Sequence, residues 1–307
     1  MSTMPEGTQH GPEDAIRARY TAAARRREAT LCCPVDYDPQ YLEIIPEDVL
    51  ERDYGCGDPS RYLREGDTVL DLGSGGGKIC FIAAQIVGPK GNVIGVEMNN
   101  AMLALARGAA PLVARRIGFE NVRFVRGRIQ DLALDLDRLE TWLGLHPVRT
   151  VEDLERLEHE TEHIRSELPL VAERSVDVVV SNCVINLVAD DDKPRLIREI
   201  FRVLRPGGRI AISDIVSDEP VPGHLKADPD LWSGCVSGAF HERELLERLE
   251  EAGFYGVRID RREVAPFAVV EGIEFRSMTV TARKGTEGAC PKSDRVLTAG
   301  SPEEGCC

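Results

Sequence analysis

Short apolar runs and helix-periodic stretches alternate through the middle of the chain. Thr68–Leu72, Asn92–Glu97, Val122–Arg126, Val176–Asn182 and residues 209–215 read as buried strands. Between and after them, Lys78–Val87 and residues 100–116, 193–204 and 242–252 carry apolar positions at helical spacing. Two late strand candidates lie near Val257 and Met278. Repeated strand-helix alternation predicts an α/β fold of the doubly wound, Rossmann-like kind: a mostly parallel sheet with helices on both faces. The alternation is interrupted at residues 132–172, where Leu, Glu and Arg predict an inserted cap with helices near 132–143 and 151–168. Before the first strand, a polar start leads into a helix over 14–28, and a Pro- and Gly-rich arm follows. The chain divides accordingly: 1–30, a flexible N-terminus and helix; 31–62, a cysteine-bearing arm; 63–216, the main ligand-binding domain with its insertion; 217–284, a small C-terminal α/β region; and 285–307, a flexible Cys-containing tail.

Composition narrows the partners. The 307 residues carry a net charge of -14, which repels phosphate backbones and anionic lipid, so neither nucleic acid nor membrane is expected. No run approaches the roughly 20 apolar residues of a membrane span, and the Arg-rich start lacks a secretory apolar core. A cytoplasmic location is the expectation. There, nine cysteines imply thiol or soft-metal chemistry in preference to structural disulfides.

The first strand ends in Asp71 and opens onto Gly73, Ser74, Gly75, Gly76 and Gly77, just ahead of a helix. Glycines there allow a tight turn and close approach of a nucleoside. Their G-x-G-x-G spacing differs from the G-x-G-x-x-G that seats a pyrophosphate, which favours S-adenosylmethionine over a nicotinamide dinucleotide for hydride transfer. Glu97 ends the next strand 20 residues beyond Gly77 (97 − 77), placed to accept both ribose hydroxyls. Met98 beside it, Ile129, Gln130 and Asp131 near the adenine, and Asn182 at the end of the fourth strand complete the expected cofactor contacts.

Cys183 follows the fourth strand, at the carboxyl end of the sheet where open α/β folds bind ligands. Cys235 lies in a loop of small residues, Cys56 in a glycine turn, and Cys32 and Cys33 on the arm. Converging thiolates suit a thiophilic centre such as trivalent arsenic better than a hard ion. Each cysteine alone reads equally well as a small buried hydrophobe, the expectation for Cys80. A zinc knuckle lacks its paired C-x2-C.

The Cys-bearing arm, Tyr54-Gly55-Cys56-Gly57, Asp71-Leu72-Gly73-Ser74-Gly75, Ser181-Asn182-Cys183-Val184-Ile185-Asn186-Leu187 and the Trp232 to Gly238 segment together resemble the arsenite methyltransferases, over about residues 31–238. The resemblance implies methyl transfer from S-adenosylmethionine to arsenite or its thiol conjugates, in detoxification or organoarsenical biosynthesis. It implies that Cys183 and Cys235 hold arsenic throughout, making 217–284 part of the arsenic-binding region. Cys56 would be the third ligand and then pair with Cys32 or Cys33, the disulfide being reduced by thioredoxin or glutathione. The insertion departs from the family pattern and bears on access to the site. Cys290, Cys306 and Cys307 either capture metalloid or are incidental. Two other functions fit the same residues: methylation of a small organic molecule, with inert cysteines, and metalloid binding without catalysis.

Overall fold

A computed structural model describes residues 12–28, 31 and 35–286. Nine strands form one sheet: β1 Thr68–Leu72, β2 Asn92–Glu97, β3 Val122–Arg126, β4 Val176–Asn182, β5 Leu204–Ser217, β6 Phe240–His241, β7 Phe254–Arg262, β8 Ala268–Val270 and β9 Ile273–Lys284. The main order is β3-β2-β1-β4-β5-β9-β7, with β6 pairing β5 and β8 pairing β9. The first five strands are parallel, as the alternating pattern predicts. The late strands differ: β9 runs antiparallel to β5, and β7 and β8 antiparallel to β9. Once no helical crossover separates consecutive strands, antiparallel pairing is the short connection.

Two apolar layers flank the sheet. The helix Lys78–Val87 buries nearly its whole circumference against one face, with Phe81, Val69 and Val180. Lys193–Val203 presents Leu196, Ile197, Ile200 and Val203 to the other. Chain order reverses between β1 and β4, so the crevice of this fold opens beyond the carboxyl ends of β1, β2 and β4.

Element ends differ from the sequence pattern for local reasons. The N-terminal helix spans Pro12–Ala23 and stops short of three successive, exposed arginines, Arg25 to Arg27. The insertion's first helix is Leu136–Leu145, because Asp135 caps it by accepting the N–H groups of Asp137 and Arg138. Residues 132 and 133 instead take backbone bonds from Val171 and Leu170, which closes the neck of the insertion. Its second helix, Val151–Glu167, opens on a capping box between Thr150 and Asp153. β5 is longer than its apolar run because Leu204 pairs with Val176, and Val216 and Ser217 pair with β6 and β9. Among the described residues, no helix is long and apolar enough to cross a membrane.

Candidate active site

The turn after β1 is built from left-handed glycines: Gly73 at φ 63°, Gly75 at 53° and Gly77 at 93°. A Cβ on Gly73 would stand 2.3 Å from Val184 Cγ2, whereas one on Gly75 would meet nothing within 4 Å. Gly75 therefore faces open space, and Gly73 seats the turn against the residue after Cys183. Across the turn, the Glu97 carboxylate accepts the Gly75 N–H at 3.0 Å and the Asn99 N–H at 2.6 Å. Burial raises its pKa while these N–H groups oppose the rise. The buried Ser74 hydroxyl has no protein partner.

The cleft above this turn spans about 1220 Å³, open solvent at its mouth included. Asp71, Gly73, Ser74 and Gly75 line its floor, Glu97 and Met98 one wall, and Ile129, Gln130 and Asn182 the other sides. The open glycine, the acidic side chain and the unpartnered hydroxyl suit the ribose and polar groups of S-adenosylmethionine. Gly77 lies off the cleft, where a Cβ would come within 2.7 Å of Phe124, so it serves packing of helix Lys78–Val87. Asp131 also stands back, ion-paired to Arg165 of the insertion and to Arg195. Asp71 is buried and accepts the Cys80 thiol at 3.1 Å; burial lifts its pKa to about 7. Cys80 is thus a core residue with a polar duty beneath the cleft.

Cys56, Cys183 and Cys235 are 5, 8 and 5 % exposed and belong to one buried cluster, though they stand far apart in the chain. Cys183 also lines the donor cleft. Cys56 Sγ, Cys183 Sγ and one Asp214 carboxylate oxygen lie within 4.8 Å of one another. The Cys235 thiol donates to the Cys183 carbonyl at 3.4 Å. Hydrogen bonding to the Cys235 and Cys56 thiols, then burial, pushes the Cys183 thiol well above its ordinary pKa; burial raises that of Cys56. Without a ligand, Cys183 and Cys56 are therefore held as thiols.

Both Cys183 and Cys235 adopt left-handed backbone, at φ 60° and 61°, a conformation unfavourable for residues with a Cβ. Surrounding bonds hold them there. Cys183 N–H donates to Ser213 O at 2.8 Å, and Asn186 Nδ2 donates to the carbonyls of Ile215 and Cys235. Lys193, buried, donates to Gly238 O at 2.7 Å and so fixes the end of the Cys235 loop. Asn182 holds the third cysteine: its Oδ1 accepts the N–H groups of Cys56 at 2.9 Å and Gly57 at 3.0 Å, while its Nδ2 donates to Gly57 O and Tyr37 OH.

Three contributors escape the sequence pattern. Asp214, buried, accepts the N–H groups of Ile185 and Ile215, and its pKa rises to about 7 through burial. Tyr37 donates to Gly57 O at 2.9 Å. The helix Pro12–Ala23 crosses the cleft: Tyr20 OH lies 3.7 Å from Cys235 Sγ, Asn99 binds Arg17 O and Thr21, and Arg19 binds Ser233 and Asp230 O. A polar residue inside a strand was the one signal for Asp214; the other two sit in segments without periodicity. Cys32, Cys33, Cys290, Cys306 and Cys307 lie outside the described residues.

Residues 63–143 and 149–253 match a family described as a methyltransferase domain. An arsenite methyltransferase of Halobacterium salinarum is 41 % identical over 239 residues, covering 75 % of this chain and 50 % of that protein. One from Aquipseudomonas alcaligenes is 35 % identical, covering 76 % and 58 %. The chain thus spans about half the length of these curated relatives. Among solved structures, an arsenic(III) S-adenosylmethionine methyltransferase from Chlamydomonas reinhardtii superposes with a TM-score of 0.63 at 30 % identity, over 83 % of this chain and 76 % of that one. Sequence and fold agree across more than two thirds of that structure, and the chain belongs to the arsenite methyltransferase family.

Proposed function

We propose that this protein transfers the methyl group of S-adenosylmethionine to trivalent arsenic, as arsenite or a thiol conjugate, held by Cys56, Cys183 and Cys235. One observation carries the reading: Cys183 belongs both to the wall of the glycine cleft and to the cluster of thiols gathered from three remote segments. Bound in that cleft, the cofactor would supply an electrophilic methyl carbon on its sulfonium. Glu97, Gly75 and Ser74 would orient it from below, and helix Pro12–Ala23 would exclude water from above. As each sulfur ligates, its thiol gives up one proton and an arsenite hydroxide leaves as water. Three sulfurs satisfy trivalent arsenic and leave its lone pair available as the nucleophile.

Attack by the lone pair takes arsenic from the trivalent to the pentavalent state. We propose that Cys56 and either Cys32 or Cys33 then give it two electrons by closing a disulfide, which restores trivalent arsenic, and that thioredoxin or glutathione reduces the disulfide. Detoxification or organoarsenical biosynthesis is the expected role.

The test incubates reduced protein with arsenite and S-adenosylmethionine and separates arsenicals by chromatography with elemental detection. Methylarsenicals and S-adenosylhomocysteine should appear together, and Cys183→Ser should remove both while cofactor binding persists. No methylarsenical from cofactor-competent protein rejects the proposal. Turnover surviving in Cys183→Ser would point to an organic substrate instead.

A further inference from the structure

Ligation of arsenic by three sulfurs leaves one group of the chamber unused. Asp214 is 1 % exposed, and its carboxylate accepts backbone N–H groups: that of Ile185 at 2.9 Å on one oxygen, that of Ile215 at 2.8 Å on the other, and that of Val184. Three amides leave at least one lone pair of the carboxylate open to a further ligand. A buried carboxylate held by backbone amides and facing two thiols is a donor set that a cation can use.

We propose that Cys56, Cys183 and Asp214 form a binding site for a soft or borderline divalent cation of the zinc or cadmium kind, which occupies the chamber in competition with arsenic. The three donor atoms already lie within 4.8 Å of one another. Donors around a tetrahedral zinc ion, at about 2.0–2.3 Å from the metal, stand roughly 3.3–3.8 Å apart, so small side-chain rotations close the site. Sulfur donors disfavour magnesium and calcium, and a mixed sulfur and carboxylate set is ordinary for zinc. On entry of the ion each ligating thiol releases its proton to solvent; no electron is transferred.

The inference shares the gathering of Cys56 and Cys183 with the proposed methyl transfer, but the divalent ion needs Asp214 and three-sulfur arsenic does not. That difference separates the two ligands experimentally. Reduced full-length protein is titrated anaerobically with Co2+ as the probe, following thiolate-to-cobalt charge transfer and the d–d bands of tetrahedral cobalt. Expected is a charge-transfer band that saturates, is displaced by Zn2+, Cd2+ or arsenite, and persists when Cys290, Cys306 and Cys307 are all changed to Ser. Cys183→Ser should abolish it. Asp214→Asn should weaken Co2+ binding at least tenfold, and by clearly more than it weakens arsenite binding read by equilibrium dialysis.

A band that survives Cys183→Ser, or vanishes with the three tail substitutions, overturns the site. So does Asp214→Asn that leaves Co2+ affinity unchanged or weakens both ligands alike. Should Asp214→Asn lose cooperative unfolding, Asp214→Glu replaces it: the charge-transfer band must remain and the d–d bands must shift, and unshifted bands reject the carboxylate ligand. Failure of methylation with Co2+ binding intact would count against the enzyme activity and not against this site.

Discussion

Asn182 is placed to decide whether the third thiol joins the other two. The side chain makes four bonds to the Cys56 turn and its support: it accepts from Cys56 N and Gly57 N, and donates to Gly57 O and Tyr37 OH. Asn182→Ala removes all of them. Each bond is worth about 1 kcal/mol net, and water replaces part of that loss because the residue is half-buried, so docking of the turn should weaken by roughly 2–3 kcal/mol. At about 1.4 kcal/mol per decade, arsenite affinity should fall roughly 30- to 150-fold if the third sulfur is needed for tight binding. Tyr37→Phe deletes one bond to the same turn, at Gly57 O, and one to Asn182 itself, from a residue outside the cleft lining, and should lower affinity about tenfold. The assay is equilibrium dialysis with arsenite, beside mass-spectrometric counting of Cys56 alkylation under native conditions. Alkylation should accelerate in both variants. If Asn182→Ala keeps arsenite affinity within threefold and Cys56 remains protected, the tether does not govern assembly of the thiol site.

Gly73→Ala should lower the melting temperature of ligand-free protein clearly more than Gly75→Ala, since both force a left-handed Cβ but only the first collides with Val184; equal losses would sink that distinction. For Asp71, burial lifts the folded pKa to about 7. The native state therefore holds this proton more tightly than the unfolded chain, and its stabilisation is full below about pH 4 and fades as pH rises through 7. Denaturant melts at pH 5 and pH 8 should thus show wild type losing stability relative to Asp71→Asn, and a constant difference would refute the assignment. Tyr20→Ala opens the helix covering Cys235, so alkylation of Cys235 should quicken while that of Cys80, which hydrogen-bonds Asp71 beneath the cleft, stays unchanged. Equal acceleration at both would mean global loosening instead.

Much of the scaffold was already legible in linear order. β1, β2, β4 and the middle of β5 carry their burial in runs of Val, Ile and Leu, and the glycines after β1 with Glu97 at the end of β2 mark the cofactor side because both features are local to one strand end. The cysteine settings at 56, 183 and 235 were readable as motifs, each within a few residues of sequence. What local pattern left open is who meets whom. Gly77 shares the spacing of Gly73 and Gly75 yet packs on Phe124, because the helix that follows turns it away from the cleft. Asn182 reads as a cofactor contact and does line the cleft, but its hydrogen bonds go to a turn 125 and 126 residues earlier. Asp214 is one polar residue in an apolar strand until the fold sets it beside two thiols, and Tyr20 belongs to a helix with little periodicity until that helix crosses the cleft. Hydrophobic period and turn chemistry are short-range and are written along the chain. Bringing three sulfurs, a carboxylate and a covering helix into one chamber depends on strand order and on loops closed over long separations, and only the tertiary structure decides those.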